Sequence, residues 1–271
     1  MKQTLKRSPL KEEPLRLPGE YLRTQIDKIL ERFYLILGIA AVAIGLTFVE
    51  WICYLFDLPQ EPHPWVFTIF TIIICFCAYL YFQKLVQKGQ NYRLGHDGEV
   101  VVGQLLEGLR VNGFVPIHDV PCEKKGKRFN VDHVLIGPKG IFAFETKTWR
   151  KSNGRHETIN YRDGHLLIGS NLRDTGSITQ ARINAEFIRD IFSRRMGEQI
   201  SVQPILLFPG WFVEQTATAT VKKEHNVFML NPKSLGGFLA KFPDLLEQEK
   251  VERLVLALSS YIHEEVIREE E

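Results

Sequence analysis

Hydrophobic and polar positions divide the chain into two unlike parts. Phe33 to Phe56, FYLILGIAAVAIGLTFVEWICYLF, carries no charge before Glu50, and Trp65 to Phe82, WVFTIFTIIICFCAYLYF, carries none at all. Each run is long enough to cross a hydrocarbon core of about 30 Å as a helix. A transmembrane helical hairpin over about 33–56 and 65–82 is therefore expected, with residues 33–82 in the lipid bilayer. The intervening DLPQEPHP has no Lys or Arg, whereas eight basic residues precede the first run and Lys84, Lys88 and Arg93 follow the second. By the positive-inside rule, residues 1–32 form a basic cytoplasmic segment and everything after the hairpin is cytoplasmic too. A bacterial inner membrane is the expected location.

From about Gly95 the pattern changes to that of an α/β domain. Val102, Leu105, Leu106 and Leu109 share one face of a helix over Glu99 to Arg110. Short β-like runs follow at Phe114 to His118, Phe129 to Ile136 and Ile141 to Trp149, with a further pair around Arg162-Asp163-Gly164. Ile178 to Met196 is helical, Val202 to Phe208 a buried strand, Asn226 to Leu230 a short strand, and helices start near Pro232 and Asp244. Residues 95–210 thus make a catalytic-sized domain, and 211–271 complete or flank it.

Composition changes this picture little: 45% hydrophobic and 24% charged residues exclude disorder throughout. Charge is informative only locally. Pro121 to Arg155 holds nine basic residues against Glu123, Asp132 and Glu145, which makes Lys124, Lys125, Lys127, Arg128, Arg150 and Lys151 candidates for phosphate contact. The loop Lys124 to Arg128 reads equally as a solvated hairpin tip. Cys53, Cys75, Cys77 and Cys122 form no CxxC pair, so neither a disulfide framework nor a zinc site is indicated. The histidines show no ligand spacing and read as surface or satisfied polar residues. No GxxxxGK[ST] or GxGxxG is present, which leaves nucleotide-cofactor use unsupported.

The segment FNVDHVLIGPKGIFAFETKTW concentrates the candidate chemistry. It reads as two strands joined at Gly137-Pro138-Lys139-Gly140, with cross-strand partners whose numbers sum to 277, so that Asp132 faces Glu145. Strand alternation puts Glu145 and Lys147 on one face. Val134, Ile136, Ile141 and Ala143 share that face, while Leu135, Phe142 and Phe144 take the other, so the hairpin is expected to be buried on both sides. Neighbouring buried carboxylates need a compensating cation or hydrogen-bond network. A divalent metal suits them, because Mg²⁺ takes hard oxygen ligands and keeps waters.

Asp132 followed by Glu145-Thr146-Lys147 after a hairpin resembles the core of the PD-(D/E)xK nuclease superfamily. The GE before a helix, the VDHVLIGPKGIFAFETKTW block and a later Gln-bearing helix resemble the NERD, or nuclease-related, domain over roughly Gly95 to Phe208. The resemblance implies a restriction-endonuclease-like core, a mixed sheet flanked by helices. It also implies that Asp132, Glu145 and the carbonyl of Thr146 hold Mg²⁺ or Mn²⁺. Lys147 would orient or help deprotonate the attacking water, Glu99 would complete the metal site or bind its water, and Gln180 would position the other groups. Val131 replaces the superfamily's proline before the aspartate. Glu99 also reads as an acid in a helix's first turn, and Ser177 to Gln180 as a capping box. The expected activity is hydrolysis of phosphodiester bonds by a metal-activated water, with DNA as substrate and RNA as the alternative. A catalytically silent nucleic-acid-binding or partner-binding module on the same fold is the competing expectation.

Overall fold

The computed structural model describes residues 16–57, 63–124, 126–151, 158–168, 171–174 and 176–270. Two compact units emerge, one of residues 21–94 and the other combining the N-terminal stretch to residue 20 with 95–271.

In the first unit, α1 (Glu20–Leu55) packs against the apolar part of α2 (Pro64–Glu107). Both are long and apolar enough to cross a membrane, and none of either apolar window is buried. That exposure is compatible with a membrane anchor. Few polar groups occur, and they pair with one another: Thr47 and Thr71 hydroxyls lie 2.7 Å apart, and Trp51 Nε1 donates to Thr68 Oγ1 at 3.0 Å. The carboxylate of Glu50 accepts from the His63 backbone at 3.0 Å, which satisfies the one acid in the run.

The helix expected over Glu99 to Arg110 is not a separate element. It is the last turns of the 44-residue α2, which passes without a break through Gly95 and ends in a 3-10 turn, Gly108–Asn112. No proline interrupts the chain between 65 and 107, so helical hydrogen bonding can simply continue.

The second unit is built on a five-stranded sheet ordered β1 (Val115–Lys124), β2 (Lys127–Gly137), β3 (Gly140–Thr146), β7 (Val202–Leu207) and β9 (Phe228–Leu230). β1, β2 and β3 are antiparallel neighbours, and β7 and β9 join parallel to β3. A smaller sheet orders β6 (Asn171–Asp174), β5 (His165–Ile168), β4 (Thr158–Arg162) and β8 (Phe212–Val213). The helices are α3 (Ser177–Met196), α4 (Gln215–His225), α5 (Leu235–Leu239) and α6 (Gln248–Glu270). This is the mixed α/β class expected.

The two faces of β2–β3 are sorted as their alternation demands. Val134, Ile136, Ile141 and Ala143 join one core with α3 and α6 through Ala185, Ile188, Phe192, Leu254 and Leu258. Leu135, Phe142 and Phe144 join another with Val102 and Leu106 of α2 and Ile205 and Leu207 of β7. Gly140 makes the turn at φ +118°, a region open to glycine. Gly137 lets the Phe114 ring approach so closely that a Cβ there would sit 2.2 Å from Cδ1.

β1 continues to Lys124, six residues beyond the expected end at His118. A proline at 121 argues against an interior strand, but β1 is the sheet's edge, where a missing N–H costs little. The capping box at Ser177–Gln180 does not form. Gly176 occupies the N-cap, and Asp174 accepts from the backbones of Gly176 at 3.0 Å and Ser177 at 2.9 Å instead.

Candidate active site

Asp132 and Glu145 come together because the hairpin keeps its expected register: Val134 pairs with Ala143 and His133 with Phe144, and the next position toward the open end holds the two acids. Asp132 turns its Oδ2 onto the backbone N–H of Thr146 at 2.6 Å. Glu145, buried, receives Lys147 Nζ on one oxygen at 2.7 Å and Asn184 Nδ2 on the other at 2.7 Å. Lys147 Nζ also donates to Gln180 Oε1 at 3.4 Å. Gln180 and Asn184 lie one helical turn apart on α3, so a single helix reaches both Lys147 and Glu145. The backbone N–H of Lys147 donates to Leu207 at the end of β7 at 2.9 Å, which fixes the chain as it leaves β3.

Glu99 approaches from α2 on the opposite face. Its helix comes close because Gly98 leaves room for Thr148; a Cβ there would lie 1.7 Å from Thr148 Oγ1. Sequence reasoning missed a fourth acid, Asp119 of β1. The β1–β2 ladder pairs His118 with His133 and Val120 with Val131, which leaves Asp119 facing Asp132. Asp119 is 2% exposed and adopts φ +50°, a left-handed conformation that aspartate tolerates better than most residues. Asn130 Nδ2 donates to it at 2.7 Å, and Arg16 lies 3.6 Å away. Its signal in the sequence was weak, since an Asp beside Val120-Pro121 reads as the end of a strand. Asn184 was more legible, as an amide among the apolar positions of α3 four residues after Gln180.

Crowding acids in a buried recess shifts their protonation. Burial, then Glu145 and Glu99, raise the Asp132 carboxyl well above its usual range against the Thr146 hydrogen bond. Burial also raises Glu145, partly countered by Lys147 and Asn184. Burial, Asp119 and Glu145 push Glu99 up to about 8, while Lys147 opposes them. For Lys147, burial favours the neutral amine, but Glu145 first and Asp132 after it carry the ammonium above its ordinary value. The carboxyls therefore hold protons more readily than ordinary acids, while Lys147 stays an ammonium.

The donor set fits a divalent cation. Among the described residues, no group of three or more His, Cys, Asp or Glu is arranged to hold a metal alone. Two carboxylates with a backbone carbonyl, waters and a substrate phosphate are nevertheless the usual means of holding Mg²⁺. Buried polar atoms close by support a hydrated ligand: Thr146 Oγ1, Thr148 Oγ1 and Asn184 Oδ1 have no partner.

The basic residues are placed less compactly. Lys127 and Arg128 lie at the tip of the β1–β2 hairpin, roughly 17 Å along the strand from Asp132, and Arg128 is 3.6 Å from Glu123. Lys124 ends β1, and Lys125 lies outside the described residues. Arg150 follows Lys147 in the exposed segment leaving β3, and Lys151 stacks over the Trp211 ring at 5.1 Å. Of the histidines, His118 is a satisfied polar residue as expected, whereas His133 departs from that expectation. His118 and His133 are buried with Nδ1 atoms 2.9 Å apart, His118 reaches Glu107 at 3.0 Å, and His133 Nε2 has no partner. Burial favours the neutral form of both, which allows two polar rings inside an apolar core. His156 lies outside the described residues.

With this geometry in hand, the family comparison falls on the same segment. Residues 94–209 match the NERD family model, the nuclease-related domain. Over these residues the chain is similar to the nuclease-related domain. Its matched stretch includes Glu99, Asp119, Asp132, Glu145, Lys147, Gln180 and Asn184 and leaves out the apolar hairpin. Among solved structures, protein VC1899 from Vibrio cholerae is similar at a TM-score of 0.33 and 12% identity, over 84% of this chain and 58% of that one. The chain thus spans little more than half the length of that protein, and a likeness so low adds nothing to the reading of the site. No curated protein matches the chain.

Proposed function

We propose that the protein is a membrane-anchored, metal-dependent nuclease that hydrolyses phosphodiester bonds of DNA. The observation that carries this reading is the Asp132–Glu145–Lys147 cluster, with Glu145 buried and its two neighbours half-buried, within the stretch similar to the nuclease-related domain. Asp132, Glu145 and the Thr146 carbonyl would hold Mg²⁺ or Mn²⁺. Bound there, the cation would supply Lewis acidity and lower the pKa of a coordinated water.

The protein's own groups divide the remaining work. Lys147 keeps its proton near neutrality, so it acts as a donor that steadies phosphate charge and orients the water, not as the base. Gln180 and Glu145 hold its ammonium from two sides, and Asn184 fixes the rotamer of Glu145. Burial and the neighbouring acids keep Glu99 protonated at neutral pH, which lessens the repulsion in the carboxylate cluster. Basic residues precede the first apolar run and follow the second, which supports tethering at a cytoplasmic membrane surface, with Lys127, Arg128, Arg150 and Lys151 as the cations that would meet phosphates.

Plasmid cleavage by the detergent-solubilised full chain in Mg²⁺ tests the proposal. Wild type should cut and Asp132→Ala should not, with chelator abolishing activity. An Asp132→Ala protein as active as wild type would sink it.

A further inference from the structure

A groove of about 900 Å³ runs along β9, the edge strand of the main sheet opposite β1. α4 forms one wall, and α5 with the turn before it forms the other. Lys222, Lys233 and Lys241 line it together with Phe212, Phe228 and Phe238, and among the described residues no carboxylate does. Phe212 is 64% exposed, an unusual state for a phenyl ring, and Lys233 and Lys241 are exposed as well. Lys222 Nζ lies 3.8 Å from the centre of the Phe228 ring, so cation and aromatic face share one wall.

Its position ties it to the candidate active site. Met229, in the groove, is level with Leu206 of β7, which is level with Glu145 of β3. The two are therefore two strand spacings apart, roughly 10 Å. Contacts bridge the interval: Lys151 stacks on Trp211, whose carbonyl accepts from Asn231 Nδ2 at 2.5 Å, and Asn231 lines the groove. About three nucleotides at ~3.4 Å each would cover the same distance.

We propose that this groove binds a single-stranded segment of nucleic acid leading to or from the reaction centre. Three ammonium groups with no carboxylate among the described lining residues select a polyanion, and the exposed Phe212 ring offers a face to a base that is free to stack. Bases in a duplex are stacked on each other, so the aromatic wall discriminates against double strands. The inference rests on the nuclease reading for its substrate class, but it concerns a different surface from the basic hairpin tip.

The test measures anisotropy of labelled oligothymidylate and of a labelled duplex with the full chain in detergent and chelator. Phe212→Ala should weaken single-strand binding on the order of tenfold and leave duplex binding unchanged. Lys233→Glu with Lys241→Glu should weaken binding further and reduce the magnitude of the salt slope by about 1.4 or more. These side chains are exposed, so folding is not at stake; an unchanged melting temperature verifies that. Variants that bind oligothymidylate as wild type does would overturn the inference, as would equal displacement by polyglutamate. Plasmid cleavage on the same samples separates the two claims: groove variants that bind normally while Asp132→Ala stops cutting would leave the nuclease reading intact. Loss of strand binding in the groove variants of a protein whose wild type never cuts would leave the groove and remove the nuclease.

Discussion

At its turn end the β2–β3 hairpin buries Leu135, Ile136, Ile141 and Phe142 between helices on both faces, and its one lysine there is fully employed in structure. Lys139 Nζ donates to the Phe242 carbonyl at 2.8 Å and to Asp244 at 3.0 Å, tying the turn to the segment before α6. At the open end of the same two strands, roughly 17 Å away, Asp132, Glu145 and Lys147 gather with Glu99 and Asp119 in a recess where four carboxyl groups crowd around one ammonium. One end gains stability from apolar burial. The other gives stability up, since desolvated like charges oppose folding until something positive joins them. Such an imbalance in a fixed frame marks a place built for a ligand.

The comparison is broken most sharply by exchanging its two lysines. Lys147→Ala should lower plasmid cleavage on the order of 10²–10⁴-fold, measured under saturating Mg²⁺, with the fold intact by circular dichroism. At the apolar end, Phe142→Ala should cost about 3–5 kcal/mol in denaturant unfolding and affect cleavage only through the fraction folded.

Glu99→Gln sharpens the contrast through pH. Its carboxyl sits at about 8 in the folded chain, above the ordinary 4.5. Between these values the unfolded chain has lost a proton that the folded chain keeps, so stability falls as pH rises through that window. Without metal, the wild type should be more stable at pH 5 than at pH 8. The glutamine variant should flatten that slope and gain on the order of 2–4 kcal/mol at pH 8, seen in melting temperatures across the range. The smallest effect belongs to Lys139→Ala, about 0.5–1.5 kcal/mol of stability with cleavage unchanged.

Local pattern made the frame of the site legible. The Gly137–Gly140 turn and the alternation of Phe142, Ala143 and Phe144 set the register that brings Asp132 to Glu145, because a one-residue slip would move every side chain of the slipped strand into the opposite core. Both apolar helices were equally plain from their length. What escaped depends on contacts between distant segments. Asp119 joins the cluster through a left-handed residue in an edge strand, the His118–His133 pair forms only once β1 lies against β2, and Asp174 replaces the expected capping box from a strand without strong periodicity. The continuity of α2 past Gly95 was hidden by the change from an apolar run to an amphipathic one, which looks like a boundary although the backbone has no reason to break.

Calorimetric titration of Mg²⁺ and Mn²⁺ into the detergent-solubilised full chain, wild type beside Asp132→Ala, tests the central claim most directly when plasmid cleavage is run on the same samples. The account predicts that wild type binds metal and cuts DNA and that both are lost together in the variant. A variant that retains both, or a wild type that shows neither, would contradict it.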